Sequence, residues 1–267
     1  FKGVPYGEST GGANRFRPPV AKQAWAGVRD ATAHGASAPQ PAVPLVPEFA
    51  WYWPTATTSE DSLSLAVFTP ALDGKKRPVL LWLHGGGFAT GAGTAPGFDG
   101  SHLAQSQDVV VVSINHRLNV FGSLLIDAPG FAPESANVGV LDQVLALRWV
   151  RENIARFGGD AGNVTIFGQS GGAAKVTALL GAPAAKGLFH KAIVQSGSGL
   201  WRLASREKVA QASHGLLQEL GLDRANAARI QQLPAEQIVA AYGKLLAKTG
   251  GVSEFRPTLC LLYTSDA

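Results

Sequence analysis

The chain has no methionine at any of its 267 positions, and it has one cysteine. The first absence includes position 1, so Phe1 is not read as a translation start and further sequence is expected upstream. The second excludes an internal disulfide, because Cys260 has no partner within the chain. Charge is also scarce: 16% of residues are charged, against roughly a quarter in an average soluble domain. With 46% hydrophobic residues, this composition points to a globular chain with one large core. The formal charge of +4 is spread over dispersed lysines and arginines. Its only cluster, Lys75, Lys76 and Arg77, lies in a polar turn before a strand and reads as a solvated loop, not a nucleic-acid surface. No apolar run reaches the ~18 residues of a membrane span, and no signal peptide is visible.

What is present alternates between strand and helix, as a parallel sheet with crossover helices requires. "SLSLAVF" (62–68) alternates Leu63, Leu65 and Val67 with smaller or polar residues and reads as a half-exposed edge or near-edge strand. "PVLLWLH" (78–84), "VVVVSIN" (109–115), "VTIFG" (164–168) and "AIVQSG" (192–197) are short apolar runs ending at polar residues or glycine, and read as buried parallel strands. "VLDQVLALRWVRENIARFG" carries apolar residues at helical spacing from Leu141 to Ile154. From 205 to 248 the period is helical throughout, in pieces broken near Gly221 and Pro234. The first 60 residues, rich in Pro, Gly and Ala, read as extended surface stretches.

Two glycine motifs carry the chemistry. "GQSGG" (168–172) fits G-x-S-x-G, a nucleophile elbow in which Ser170 stands on a strained turn between strand and helix. Gly168 and Gly172 suit such a turn because neighbouring side chains would clash there. Its context agrees, with a strand before it and helix-compatible "AAKVTALL" after it. "HGGGF" (84–88) also ends a strand, and consecutive glycines let backbone N–H groups face a substrate oxygen. A phosphate cradle is disfavoured, since no Gly-Lys-Ser/Thr follows.

The terminal run "CLLYTSDA" reads as the translated end of a transposase-based DNA sequencing adapter. Residues 260–267 are therefore expected to be a non-native tail, and residues 1–259 part of a single domain that contains the helical segment 205–248. The alternative is a native strand, from the composition of "LCLLY".

Taken in order, "FKGVPYGEST", "RFRPPV", "WAGVRDAT", "EDSLSLAVFTP", "LWLHGGGF", "INHRL", "NVGVLDQVLALRWVRENIARFGGDAGNVTIFGQSGG" and "GLFHKAIVQSGS" resemble the type B carboxylesterases. That family, which includes bacterial esterases and the cholinesterases, has the α/β-hydrolase fold. The resemblance implies an α/β chain with a mostly parallel sheet and crossover helices, incomplete at both ends. It implies a bacterial carboxylic-ester hydrolase working through a serine acyl-enzyme on a small-molecule ester, with no metal or cofactor. Ser170 takes the nucleophile's place, and the N–H groups of Gly86, Gly87 and Gly171 take the place of the oxyanion donors.

In the family the acid and the histidine follow a seventh and an eighth strand. This chain is thus expected to be the nucleophile-bearing half and inactive alone. His190 matches a non-catalytic position in "GLFHKA" and His214 lies on a helix face, so neither is read as the base. The chain departs from the family at Ser62 and near Ala38, where many members carry a disulfide. It also departs at Gln169 (usually glutamate), Gly171 (usually alanine) and His116 (usually tyrosine), the last read as structural. A non-catalytic adhesion or binding relative is the second reading, but such relatives usually lose the serine. Another GGG-loop lipase subfamily fits the glycine motifs but not "EDSLSLAVFTP" or the "NVGVLDQ" helix.

Overall fold

Runs of Val, Ile and Leu become strands because branched side chains pack well on a pleated surface. A computed structural model describes residues 1–42, 46–54, 56–197 and 203–258, and six such runs form one sheet. They are β1 (Val4–Pro5), β2 (Ser64–Phe68), β3 (Arg77–Leu83), β4 (Val110–Ile114), β5 (Gly159–Gln169) and β6 (Lys191–Gln195). Their spatial order is β1-β2-β4-β3-β5-β6. β2 is antiparallel to β1 and β4, while β4, β3, β5 and β6 pair in parallel.

Parallel neighbours need crossover connections. These contain α1 (Ser101–Gln107), α2 (Asn119–Gly122), α3 (Val138–Asn153) and α4 (Gly171–Leu180). Leu81, Leu83, Val112, Ile114 and Ile166 of the sheet share one core with Val144, Leu147 and Val150 of α3 and with Val176 and Leu179 of α4. The helical period over 205–248 becomes α5 (Arg206–Glu219), a 3-10 turn at Ala227–Gln232, and α6 (Ala235–Lys248). Gly221, at φ +67°, follows α5, and Pro234 precedes α6. These helices pack on Phe16, Phe121 and Phe255 in a second cluster. No described helix is long and apolar enough to cross a membrane.

Two strand expectations are corrected. β2 is buried along its whole length, not half-exposed. Leu65 and Val67 enter the main core, while Ala66 and Phe68 on the opposite face pack with Ala104 of α1 and Val111. β6 is exposed along its whole length, not buried. It is the outermost strand among the described residues, and Ile193 and Val194 stand 46% and 43% open. The expected non-native tail, 260–267, lies outside the described residues.

Candidate active site

β5 delivers its last residue, Gln169, directly to Ser170, and α4 begins at Gly171. Ser170 has φ 55° and ψ −116°, a region that non-glycine residues enter only when the surroundings force them. Backbone hydrogen bonds hold it there. Its N–H donates to Gln195 O on β6 (2.9 Å), and its carbonyl accepts from Ala174 N in α4 (3.2 Å). The flanking glycines are required by space: a Cβ on Gly172 would overlap Leu83 O, and one on Gly168 would meet the Gly172 backbone and Leu83 O at 2.6–2.7 Å.

The loop after β3 arrives beside this turn. Gly86 and Gly87 have φ +83° and +65°, so the loop path needs residues without a Cβ. The Gly171 backbone lies directly against that of Gly87, leaving no room for a side chain at 171. Among the described residues, the N–H groups of Gly87 and Gly171 donate to no protein acceptor. Gly171 is also the first residue of α4, where the helix end carries partial positive charge. Ser170 is thus bordered by unengaged donors suited to an anionic oxygen.

An aromatic side chain also reaches the loop. The Tyr52 hydroxyl sits over Gly85, and burial raises its pKa above the ordinary phenol value. Its ring meets Trp51, Trp53 and Phe98 edge-on. Sequence reading missed Tyr52; the run of three aromatics at 51–53 in a Pro- and Ala-rich stretch was the available signal.

Behind the loop lies a buried basic group. The Lys175 ammonium donates to His84 O at 2.8 Å, and the His84 and His116 rings stack at 4.9 Å. Burial, and then the Lys175 charge, push both imidazoles well below their usual range. Their Nδ1 atoms lie 2.8 and 2.9 Å from Gly85 O and Arg117 O. Both rings are buried, and their Nε2 atoms have no hydrogen-bond partner among the described residues. His190 Nδ1 accepts from Val164 N at 3.0 Å, and His214 lies 3.1 Å from Gln218 Nε2. Among the described residues, no histidine is hydrogen-bonded to Ser170. Ser62 and Ala38 are buried, and the Ser62 hydroxyl has no partner among the described residues.

The sequence profile described as "Carboxylesterase family" matches residues 1–260. The chain belongs to the carboxylesterase family. It is 43% identical over 245 residues to the para-nitrobenzyl esterase of Bacillus subtilis (strain 168), covering 92% of this chain and 49% of that one. It is 41% identical over 239 residues to the phenmedipham hydrolase of Pseudarthrobacter oxydans, covering 90% and 47%. The chain therefore spans about half the length of these curated relatives. Among solved structures, a Geobacillus stearothermophilus carboxylesterase superposes with a TM-score of 0.87 at 44% identity, over 97% of this chain and 51% of that one. This carboxylesterase-family chain has the α/β-hydrolase fold, with the strand-turn-helix at Ser170 and the glycine loop at the ends of adjacent parallel strands.

Proposed function

We propose that this chain supplies the nucleophile and the oxyanion donors of a carboxylic-ester hydrolase that acts on small-molecule esters. The observation that carries the reading is the strained Ser170 turn with the N–H groups of Gly87 and Gly171 unengaged beside it. Ser170 Oγ attacks the ester carbonyl carbon and passes its proton to a base, and the carbonyl oxygen becomes an oxyanion held by Gly87 and Gly171. The Gly86 N–H, in the same loop, is the third donor. Collapse expels the alcohol, protonated as it leaves, and water then releases the acid from the acyl-serine.

On this reading the base that takes the Ser170 proton lies outside the described residues, none of whose histidines is hydrogen-bonded to Ser170. Removing the histidine from a serine triad costs ~10⁶ in kcat, leaving ~10³–10⁴ over water from the remaining machinery. The chain on its own is therefore expected to acylate slowly and to turn over far below an enzymatic rate. Retention of the serine and its donors favours this reading over a binding-only role.

The test is acylation of the purified chain with an activated p-nitrophenyl ester, followed by peptide mass spectrometry, beside a Ser170→Ala variant. The acyl group is expected on the peptide that carries Ser170 and absent from the variant. Equal acylation of both proteins, or labelling only elsewhere, overturns the proposal. A para-nitrobenzyl ester is the natural second probe, given the relative named for that substrate.

A further inference from the structure

Lys175 is fully buried in α4, five positions after Ser170, and sequence patterning accounts for it only as a charge within an apolar helix. A lysine is rarely enclosed without a purpose, because desolvating an ammonium is costly. Its Nζ donates to His84 O, the first residue of the glycine loop, and lies 5.8 Å from the ring centre of Phe88, the last residue of that motif. One side chain from the nucleophile's helix therefore touches both ends of the loop that would carry the oxyanion donors.

We infer that Lys175 is a positioning residue. Through His84 O and the face of Phe88 it fixes the glycine loop against α4, and so sets where Gly86 and Gly87 present their N–H groups to Ser170. The inference rests on reading that loop as the oxyanion site. Besides this tie, Asn119 N donates to Phe88 O at 2.6 Å, Thr90 N donates to Gly86 O at 3.1 Å, and Gly87 fits closely on Gly171.

The surroundings make the tie sensitive to pH. Burial brings the Lys175 amine down to about 7, and no carboxylate is bonded to it among the described residues. The His84 ring from the loop and the His116 ring from the segment after β4 are both held well below their ordinary range, so both are neutral near pH 7. Arg117, which also acts on His116, is paired with Asp142 of α3. As pH rises through about 7, a charge-assisted bond to His84 O becomes an ordinary amine bond, roughly half as strong.

The test is nuclear magnetic resonance on the full chain, following the Lys175 side chain and the amides of Gly85, Gly86 and Gly87 from pH 5.5 to 9. In the wild type, those amides are expected to titrate together with Lys175. In Lys175→Met the loop titration disappears, and exchange of the Gly86 and Gly87 amides speeds by about tenfold, as loss of a hydrogen bond to a charged group implies. Lys175→Gln keeps a donor but no charge, so exchange stays closer to wild type while the titration is lost. A lysine that only filled space would titrate without moving the loop amides, and that result overturns the inference. So does a loop titration that survives in either variant. Should Lys175→Met fail to fold, the wild-type co-titration and Lys175→Gln decide. Neither readout involves turnover, so failure of the Lys175 tie and failure of the ester-hydrolase reading are told apart.

Discussion

Two of the buried cations in this fold, Arg117 and Lys175, are treated in opposite ways. Arg117 is enclosed by a carboxylate: Asp142 accepts from Arg117 Nε at 2.9 Å, from Nη2 at 2.6 Å and from the Arg117 backbone N–H at 2.9 Å. Arg17 O accepts from Nη1 at 2.7 Å. Lys175, as deeply buried, has one carbonyl and an aromatic face. The chemistry of the two groups explains the contrast. A guanidinium cannot release its proton at any ordinary pH, so its burial demands a counter-charge and a fork of acceptors. An ammonium can become neutral, so the fold tolerates it without a carboxylate by shifting its proton equilibrium. The Arg117 site is therefore a fixed structural joint between the segment after β4 and α3, while the Lys175 site responds to pH.

Breaking the first site should produce the largest effect. Asp142→Ala leaves an enclosed guanidinium without its partner and is expected to cost about 3–5 kcal/mol in urea unfolding. Replacing both members, Arg117→Met with Asp142→Leu, should recover most of that loss. A cost for Asp142→Ala well under about 1 kcal/mol would mean that the pair is solvated, and the contrast with Lys175 would collapse.

The next effect is one of slope. Below about 7 the Lys175 amine is charged in the folded and the unfolded chain, and its burial penalty is fully present. From about 7 up to its ordinary 10.5 the folded chain binds fewer protons than the unfolded one, so this group makes stability rise with pH. Lys175→Met should remove that rise, seen as a flatter curve of unfolding free energy against pH between 7 and 10 than in the wild type. An unchanged slope would show that the amine is not held near 7.

A smaller effect is expected at Arg15, whose guanidinium joins Glu60 to the carbonyls of Ile230, Gln231 and Leu233. Arg15→Lys keeps the charge but loses the fork, for about 1–2 kcal/mol by thermal or urea unfolding. The smallest effect belongs to the exposed Arg224–Asp127 pair. Arg224→Ala should leave the urea midpoint where it is, because such pairs are screened and mobile. A marked loss there would show that exposure does not separate strong pairs from weak ones in this fold.

The two glycine motifs were legible in sequence because their geometry depends on residue type over a few positions. Gly168, Gly172 and Gly87 have no room for a Cβ or need a backbone that only glycine adopts easily. Burial was less legible. "SLAVF" alternates like a half-exposed strand but is enclosed, since β1 flanks it and α1 covers its second face. "KAIVQ" carries the apolar run Ala-Ile-Val of an inner strand but lies at the sheet's described edge. Period reports the side chains of one segment, whereas exposure depends on segments elsewhere in the chain. Lys175 and Tyr52 escaped notice for the same reason: the carbonyl that Lys175 binds is 91 positions away, and Tyr52 meets Gly85 from an earlier, irregular segment of the chain.

The register that joins β3 to β5 has a consequence in time. Val79 pairs with Val110 on one side and with Val164 on the other, so a growing chain can satisfy the first edge of β3 long before the second. At synthesis rates of ~5–20 residues per second, the edge that receives β5 waits roughly 4–17 s for its partner to be made. The glycine loop sits at the end of that open edge. Its final shape therefore depends on the slower, long-range closure, and the turn at Ser170 completes only after β6, whose Gln195 O accepts from Ser170 N, has been made.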